Sequence, residues 1–286
     1  MATIIHTLAE PLGAPAVASL DDEEVARRRA RIATVVGRWG VGLALLVLWE
    51  LLTRIGIVDP YFFSSPSRIF TAGYTQWAAG KLLPDVSYTA SATVSGFLLG
   101  VSSGALIGLS TWGSRVYGNV LEPYLVMFNS VPKLALAPVL IIVFGIGFQS
   151  KIALAVLMTL VPTAIAAYSG VKSVDSDLET LLFSLGAKRS RVFTTVVVPW
   201  AMPWIVSSLR INIGLALAGA IVGEFVASQM GIGRMILYAG QIMDINLVWV
   251  GVTVLSILAM TMYACVSWLE RFLLNGMMHG ATSTGS

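Results

Sequence analysis

The sequence predicts an all-α, polytopic membrane protein of about six transmembrane helices. Three observations carry that expectation. Of 286 residues, 56% are hydrophobic and only 12% are charged, about half the charged share of an ordinary soluble domain. The mean hydropathy is +0.82. The apolar residues fall in long runs with few charges, each able to supply roughly 20 residues, enough for ~30 Å of hydrocarbon at ~1.5 Å per residue. Hydrocarbon offers no water to satisfy free backbone groups, so helices are the expected form. This composition argues against a soluble enzyme, a nucleic-acid-binding domain, a disulfide scaffold and a disordered tail.

Residues 1–34 carry Pro, Ala, Glu and Arg without lasting periodicity and are expected to form a cytoplasmic tail. An acidic stretch, Asp21 to Glu24, and a basic one, Arg27 to Arg31, precede the first apolar run. That is too long and mixed for a cleaved signal peptide, so the first span reads as a retained anchor. It runs from about Val36 to Ile57 with Glu50 inside it. The second lies within Val86–Ser114. The third, from about Leu121 to Phe148, is interrupted by Pro132-Lys133 and Pro138. The fourth runs from about Ile152 to Gly170, the fifth from about Pro203 to Val226, and the sixth lies within Ile245–Leu269. The membrane domain thus covers 35–272, and residues 273–286 are expected to form a second cytoplasmic tail.

Lysine and arginine set the orientation. With the N-terminus inside, twelve of the 18 basic residues fall on the inner side. Five (Arg54, Arg68, Lys81, Lys151, Arg234) fall outside, and Lys133 lies within a span. Both termini are therefore expected in the cytoplasm. The outer segment from Asp59 to Asp85 has a helix start at Ser64-Ser65-Pro66-Ser67. Phe70, Tyr74 and Trp77 follow at the spacing of an interfacial helix.

The chain is poor in catalytic chemistry. Cys265 is the one cysteine, and the two histidines, His6 and His279, lie in the tails. No intramolecular disulfide can form, and the spans lack histidine for catalysis or a metal site. No metal, cofactor or catalytic residue is expected. Gly100-Val-Ser-Ser-Gly104 matches a nucleophile pattern in letters, but mid-span and without a membrane histidine.

The longest inner loop, 171–203, is the most informative segment. Ser173 or Asp175 can cap a short helix. Leu178, Leu181, Leu182 and Leu185 then form one apolar stripe. Gly186 permits a sharp turn, and a second short helix is expected from Lys188-Arg189-Ser190-Arg191 to just before Pro199. Such a helix–turn–helix suits docking to a partner protein, and equally a helix lying on lipid headgroups.

Here the chain resembles the binding-protein-dependent permeases of ABC importers. Their cytoplasmic loop reads Glu-Ala-Ala, three residues, Gly, nine residues, Ile, one residue, Leu-Pro. Gly186 and Pro199 stand at that spacing, with Val196 and Val198 in place of Ile and Leu. Thr180-Leu181-Leu182 replaces the Glu-Ala-Ala triplet, and Glu179 lies one place early. Phe63-Ser-Ser-Pro-Ser, Ser130 to Pro138, Phe144-Gly-Ile-Gly147 and Val222 to Gly233 resemble the nitrate, sulfonate, taurine and bicarbonate branch. The resemblance implies a type I importer fold. It implies two permease copies, a homodimer, two cytoplasmic ATPase subunits and an external solute-binding protein, in the inner membrane. Leu178, Glu179, Leu182, Gly186, Ala187, Lys188, Arg189 and Pro199 would form the ATPase-coupling loop. No phosphate-binding loop is present, so ATP is left to the partner. The implied solute is a small anion such as a sulfonate, taurine, nitrate or bicarbonate; the alternative is a thiamine-precursor pyrimidine or an aromatic compound. An ion-coupled secondary transporter is a more distant alternative: it would need deep carboxylates and internal repeats.

Within the spans, Gly96, Gly100, Gly104 and Gly108 form a small-residue stripe for close helix packing, within or between subunits. Pro132-Lys133, with Asn129 and Ser130, is the first candidate for a pathway lining or gate. Lys133 would attract an anion or pair with Glu224, Glu122 or Glu50. Ser208, Asn212 and Glu224 are further pathway candidates, each with a helix-pairing alternative.

Overall fold

The computed structural model describes residues 33–34, 36–37 and 40–282, with side chains to Leu274. Most of the N-terminal tail and residues 283–286 lie outside the described residues. The chain divides into two compact units, residues 1–67 and 68–286. Among the described residues every element is helical.

The first unit holds α1, helical over 40–54, and the short α2 (Pro60–Phe63), capped by the Asp59 carboxylate on Tyr61 N at 2.8 Å. The Glu50 carboxylate accepts from Arg54 Nε at 2.8 Å, Ser67 N at 3.1 Å and Ser67 Oγ at 2.9 Å. It therefore serves an unsatisfied backbone donor at the start of the next helix. That helix, α3 (Pro66–Ala78), has proline at its first position and exposes Phe70, Tyr74 and Trp77.

The second unit continues with α4 (Leu82–Ser110), closed by a 3-10 turn over Thr111–Gly113. Next come α5 (Arg115–Ser130), a 3-10 turn (Lys133–Leu136) and α6 (Ala137–Phe144), then α7 (Phe148–Lys172), α8 (Ser176–Ser184) and α9 (Arg189–Val192). A π-turn, Phe193–Val197, leads into α10 (Val198–Val226), followed by α11 (Ile232–Gln241) and α12 (Ile245–Thr282). Four helical segments are long and apolar enough to cross a membrane: Leu82–Gly113, Phe148–Lys172, Arg189–Val226 and Ile245–Leu274. The pair Arg115–Ser130 and Lys133–Phe144, bent by 79°, has the length and composition of a fifth, either as one broken span or as a re-entrant loop. The expected first span, which would bring the number to six, includes residues 38 and 39, outside the described residues.

Three boundaries differ from expectation. The second helix of the loop does not stop before Pro199; one helical segment runs from Arg189 to Val226. A proline ring displaces the carbonyl four residues back, and the wider π-turn just upstream absorbs that clash. Lys151 belongs to α7 and is fully buried, not in an outer loop. Lastly, α12 continues past the expected tail start at 273, to Thr282.

The centre of the unit is α4, α7 and α10. The glycine stripe of α4 lies directly on α7. A Cβ at Gly96 would stand 2.2 Å from Ala155 Cβ, at Gly100 1.9 Å from Thr159 Oγ1, at Gly104 2.3 Å from Leu160 O, and at Gly108 2.4 Å from Ala167 Cβ. The close approach is thus within one chain. Phe97, Ala155, Val206, Leu209, Ile213 and Ala216 form the core with Met262 and Val266 of α12. A second cluster packs α11 and α12 (Ile232, Met235, Ala239, Leu247, Val250) with Leu82 of α4.

Candidate functional site

The inner loop folds as two short helices around a tight turn. The Asp175 carboxylate caps α8 through Asp177 N at 2.8 Å, while the Ser173 hydroxyl turns back to Gly170 O at 2.8 Å. Asp177 and Glu179 in the first turn suit the positive end of the helix. At the other end Gly186 adopts φ 80°, with Gly186 N on Phe183 O and Ala187 N on Leu182 O, both at 3.0 Å. That pair of bonds is the Schellman arrangement, which glycine accommodates without a Cβ penalty. Lys188 is extended and opens α9. The stripe faces outward: Leu178, Leu181 and Leu185 are exposed, with Phe183 beside them, and Leu182 is half-buried. Lys188 and Arg189 are exposed at the turn, and Pro199 lies in the first turn of α10.

One residue ties this segment to the membrane helices. Trp112, in the 3-10 turn ending α4, donates its indole N–H to Glu179 Oε1 at 2.9 Å. The Arg189 guanidinium lies 5.2 Å from the Trp112 ring centroid and hydrogen-bonds Gly113 O. Phe193, first residue of the π-turn, packs its ring 5.4 Å from the same indole. Nearby, Tyr168 donates to Glu122 Oε2 at 2.8 Å, and Lys172 reaches both Glu122 oxygens at 3.4 Å, joining α5 to the end of α7.

The break between α5 and α6 holds Asn129, Ser130, Pro132 and Lys133. Val131, preceding the proline, is extended at ψ 134°, as the proline ring requires. Lys133 Nζ donates to Asn129 O at 3.0 Å and Asn129 Oδ1 at 3.3 Å, satisfying a carbonyl that the break exposes. Of the two readings of Lys133, the pairing with Glu224 or Glu122 is not made: those carboxylates are bonded to Thr89, and to Tyr168 and Lys172; Glu50 is bonded to Arg54 and Ser67 within its own unit. Among the described residues no carboxylate forms an ion pair with Lys133. Its partners are local and neutral, so its charge stays uncompensated at the bend.

Asn212 and Glu224 are fully buried within the chain and face other helices, not an open pathway. Asn212 Nδ2 donates to Thr163 Oγ1 of α7 at 2.8 Å and to Ser208 Oγ at 3.2 Å; Ser208 donates to Ile205 O at 2.7 Å. Glu224 accepts from Thr89 Oγ1 at 2.8 Å and from Gly233 N at 2.7 Å. Asp85 accepts from Gly231 N at 2.7 Å, and Thr89 Oγ1 accepts from Ile232 N at 3.0 Å. Three side chains of α4 and α10 thus serve the free backbone donors at the start of α11. The Lys151 amine hydrogen-bonds Ala227 O, just past the end of α10.

Sequence reasoning missed Trp112, Lys151, Thr89 and Asp85. Nothing local to Trp112 marks its partner Glu179, 67 residues away.

Residues 96–279 match the family model described as the binding-protein-dependent transport system inner membrane component. The formylaminopyrimidine transport permease protein ThiX of Halalkalibacterium halodurans is 31% identical over 81% of this chain and 92% of its own length. The taurine transport system permease protein TauC of Escherichia coli is 29% identical over 81% and 86%. The riboflavin transport system permease protein RibX of Chloroflexus aurantiacus is 29% identical over 81% and 86%. Among solved structures, a chain of the inward-facing MetNI methionine ABC transporter superposes with a TM-score of 0.55 at 20% identity, covering 70% of this chain and 97% of that one.

Proposed function

Since the chain belongs to the binding-protein-dependent inner-membrane components of ABC importers, we propose that it works as a homodimer, docks an ATPase through α8–α9 and admits a small anion. It is a type I importer permease, a transport subunit and not an enzyme, and ATP hydrolysis belongs to a separate ATPase subunit. Its family works with an ATPase and a solute-binding protein. In our reading both termini and α8–α9 face the cytoplasm, the chain uses no cofactor of its own, and ATP binds only to the partner.

The observation that carries the docking assignment is the exposed stripe of Leu178, Leu181 and Leu185 beside a basic turn, on a segment bonded to the end of α4. Apolar side chains seat in a partner's cleft, and Lys188 and Arg189 set its register through charge. ATP closes the ATPase pair, α8–α9 shifts, and the shift passes into the membrane helices. Gly186→Pro removes the left-handed turn and Lys188→Glu reverses the charge. Both variants are expected to insert normally, while ATP hydrolysis in the assembled importer no longer drives uptake. Coupled transport in both variants at the unmodified level would overturn the docking assignment.

The solute class rests on Lys133, a charge at a break in a span with only neutral partners. A charge inside a membrane faces a cavity or a ligand because lipid does not tolerate it. Relatives of equal similarity carry taurine, formylaminopyrimidine and riboflavin in their names, so likeness alone does not choose. Lys133→Gln is expected to raise the half-saturating concentration for a sulfonate-bearing solute such as taurine about tenfold, the loss of one charge-assisted hydrogen bond to the sulfonate. Lys133→Arg should hold near the original value. Accumulation of labelled formylaminopyrimidine or riboflavin in place of taurine, unchanged by Lys133→Gln, would select the neutral-ligand reading.

A further inference from the structure

We propose that Trp112 is the positioning residue that carries movement of the docking segment into α4 and α7, an inference that rests on the docking role of α8–α9. The indole meets three successive elements of that segment. Its N–H holds Glu179 of α8 at 2.9 Å, its face carries the Arg189 guanidinium of α9 at 5.2 Å, and its ring centroid lies 5.4 Å from that of Phe193, the two planes tilted by 37°. Arg189 also grips Gly113 O, the residue after the indole. A cation over an indole and a hydrogen bond to a carboxylate are both directional, so the segment has one preferred seat on the end of α4.

Beyond Trp112 the path is stiff. Four glycines press α4 onto α7 so closely that a Cβ at any of them would overlap an α7 atom at 2.4 Å or less. Gly170 does the same between α7 and α10, where a Cβ would stand 2.8 Å from Ala201 Cα. Packed helices of this kind move as a block. The compliant element is the π-turn Phe193–Val197, where the helical bonding pattern is widened between α9 and α10. A push on α8–α9 therefore has two exits: bending at the π-turn, which leaves the bundle still, or the Trp112 contacts, which move α4. Trp112 decides between them because it holds Phe193, the first residue of the π-turn, in place.

The test uses the permease co-assembled with its ATPase in lipid nanodiscs, in a Cys265→Ser background. A bimane fluorophore sits on the thiol introduced by Ser87→Cys, an exposed position near the far end of α4. The probe is MgATP with vanadate. In the parent, its addition shifts the bimane emission. Trp112→Ala is expected to keep the ATPase bound and hydrolysing while most of the emission shift is lost. Trp112→Phe, which keeps an aromatic ring but lacks the N–H, should fall between the two. A merely structural role would reduce ATPase retention and emission shift together. Should Trp112→Ala fail to assemble, Glu179→Ala carries the test, with a reduced shift expected. A parental shift in the deciding variant, or no shift in the parent, overturns the proposal while docking stands. Failure of the ATPase to bind the parent overturns the docking role itself.

Discussion

Replacing Gly104 by alanine is expected to destabilise the permease by about 3 kcal/mol, at the upper end of what an overfilled core costs. Replacing it by valine is expected to leave almost no folded chain. The new Cβ would stand 2.3 Å from Leu160 O, 2.8 Å from Thr163 Cβ and 3.1 Å from Ala164 N. The nearest of these atoms belongs to the backbone, so no rotamer change relieves the overlap and α4 must lift from α7. Lifting also breaks the neighbouring contacts at Gly100 and Gly108, where the same geometry holds. The control is Gly214→Ala on α10, where a Cβ meets nothing within 4 Å. Alanine is the better helix former by about 1 kcal/mol, so that variant should be as stable as the parent or slightly more so. Thermal unfolding of detergent-purified protein, followed by size-exclusion chromatography after heating, separates the two. Equal stability of Gly104→Ala and Gly214→Ala would mean that the stripe does not carry the α4–α7 contact.

What could be read beforehand follows a physical line between local and distant partners. The stripe on α4, the break at Pro132, the helix that starts at Pro66 and the turn at Gly186 all depend on residues within one or two helical turns, and their positions are legible in the sequence. Lys133 lies partly across the line. Its place at a break was visible, but the expected carboxylate partner was distant and the observed one is Asn129, a turn away. The stop before Pro199 failed because a proline rule considers the residue and its immediate carbonyl, whereas the π-turn upstream rearranges a longer stretch. Charge near a span end normally faces water, so the sequence alone places Lys151 in an outer loop. Its burial depends on Ala227 O, 76 positions on. Glu224 shows the same limit: its carboxylate was visible as costly, but Thr89 lies 135 positions away. Sequence periodicity reports which face of a helix is apolar, not which polar group of another helix it meets.

Glu224→Ala is expected to free α11 from the bundle. The carboxylate accepts from Thr89 Oγ1 and Gly233 N in a fully buried site. Removing it leaves Gly233 N with no acceptor and no water to replace it, roughly 1–3 kcal/mol, while the Thr89 hydroxyl turns to Asp85 O. Gly231 adopts φ 110°, and a Cβ there would stand 2.3 Å from Glu224 Cδ, so Gly231→Ala should damage the same site from the other side. Glu224→Gln should be mild. Its amide oxygen still accepts from Gly233 N, and its amide nitrogen can donate to Thr89 Oγ1, whose own hydrogen then turns to Asp85 O, already within 3.2 Å. The readout is trypsin cleavage at Arg234, exposed on α11, in detergent-purified protein, which removes any dependence on orientation in the membrane. Cleavage should speed up about tenfold or more in Glu224→Ala and Gly231→Ala, since opening freed by 1.4 kcal/mol is already tenfold, and change little in Glu224→Gln. Fast cleavage in all three variants would assign the site to charge. Slow cleavage in all three would mean that the hydrophobic contacts of Ile232, Met235 and Ala239 suffice to hold α11.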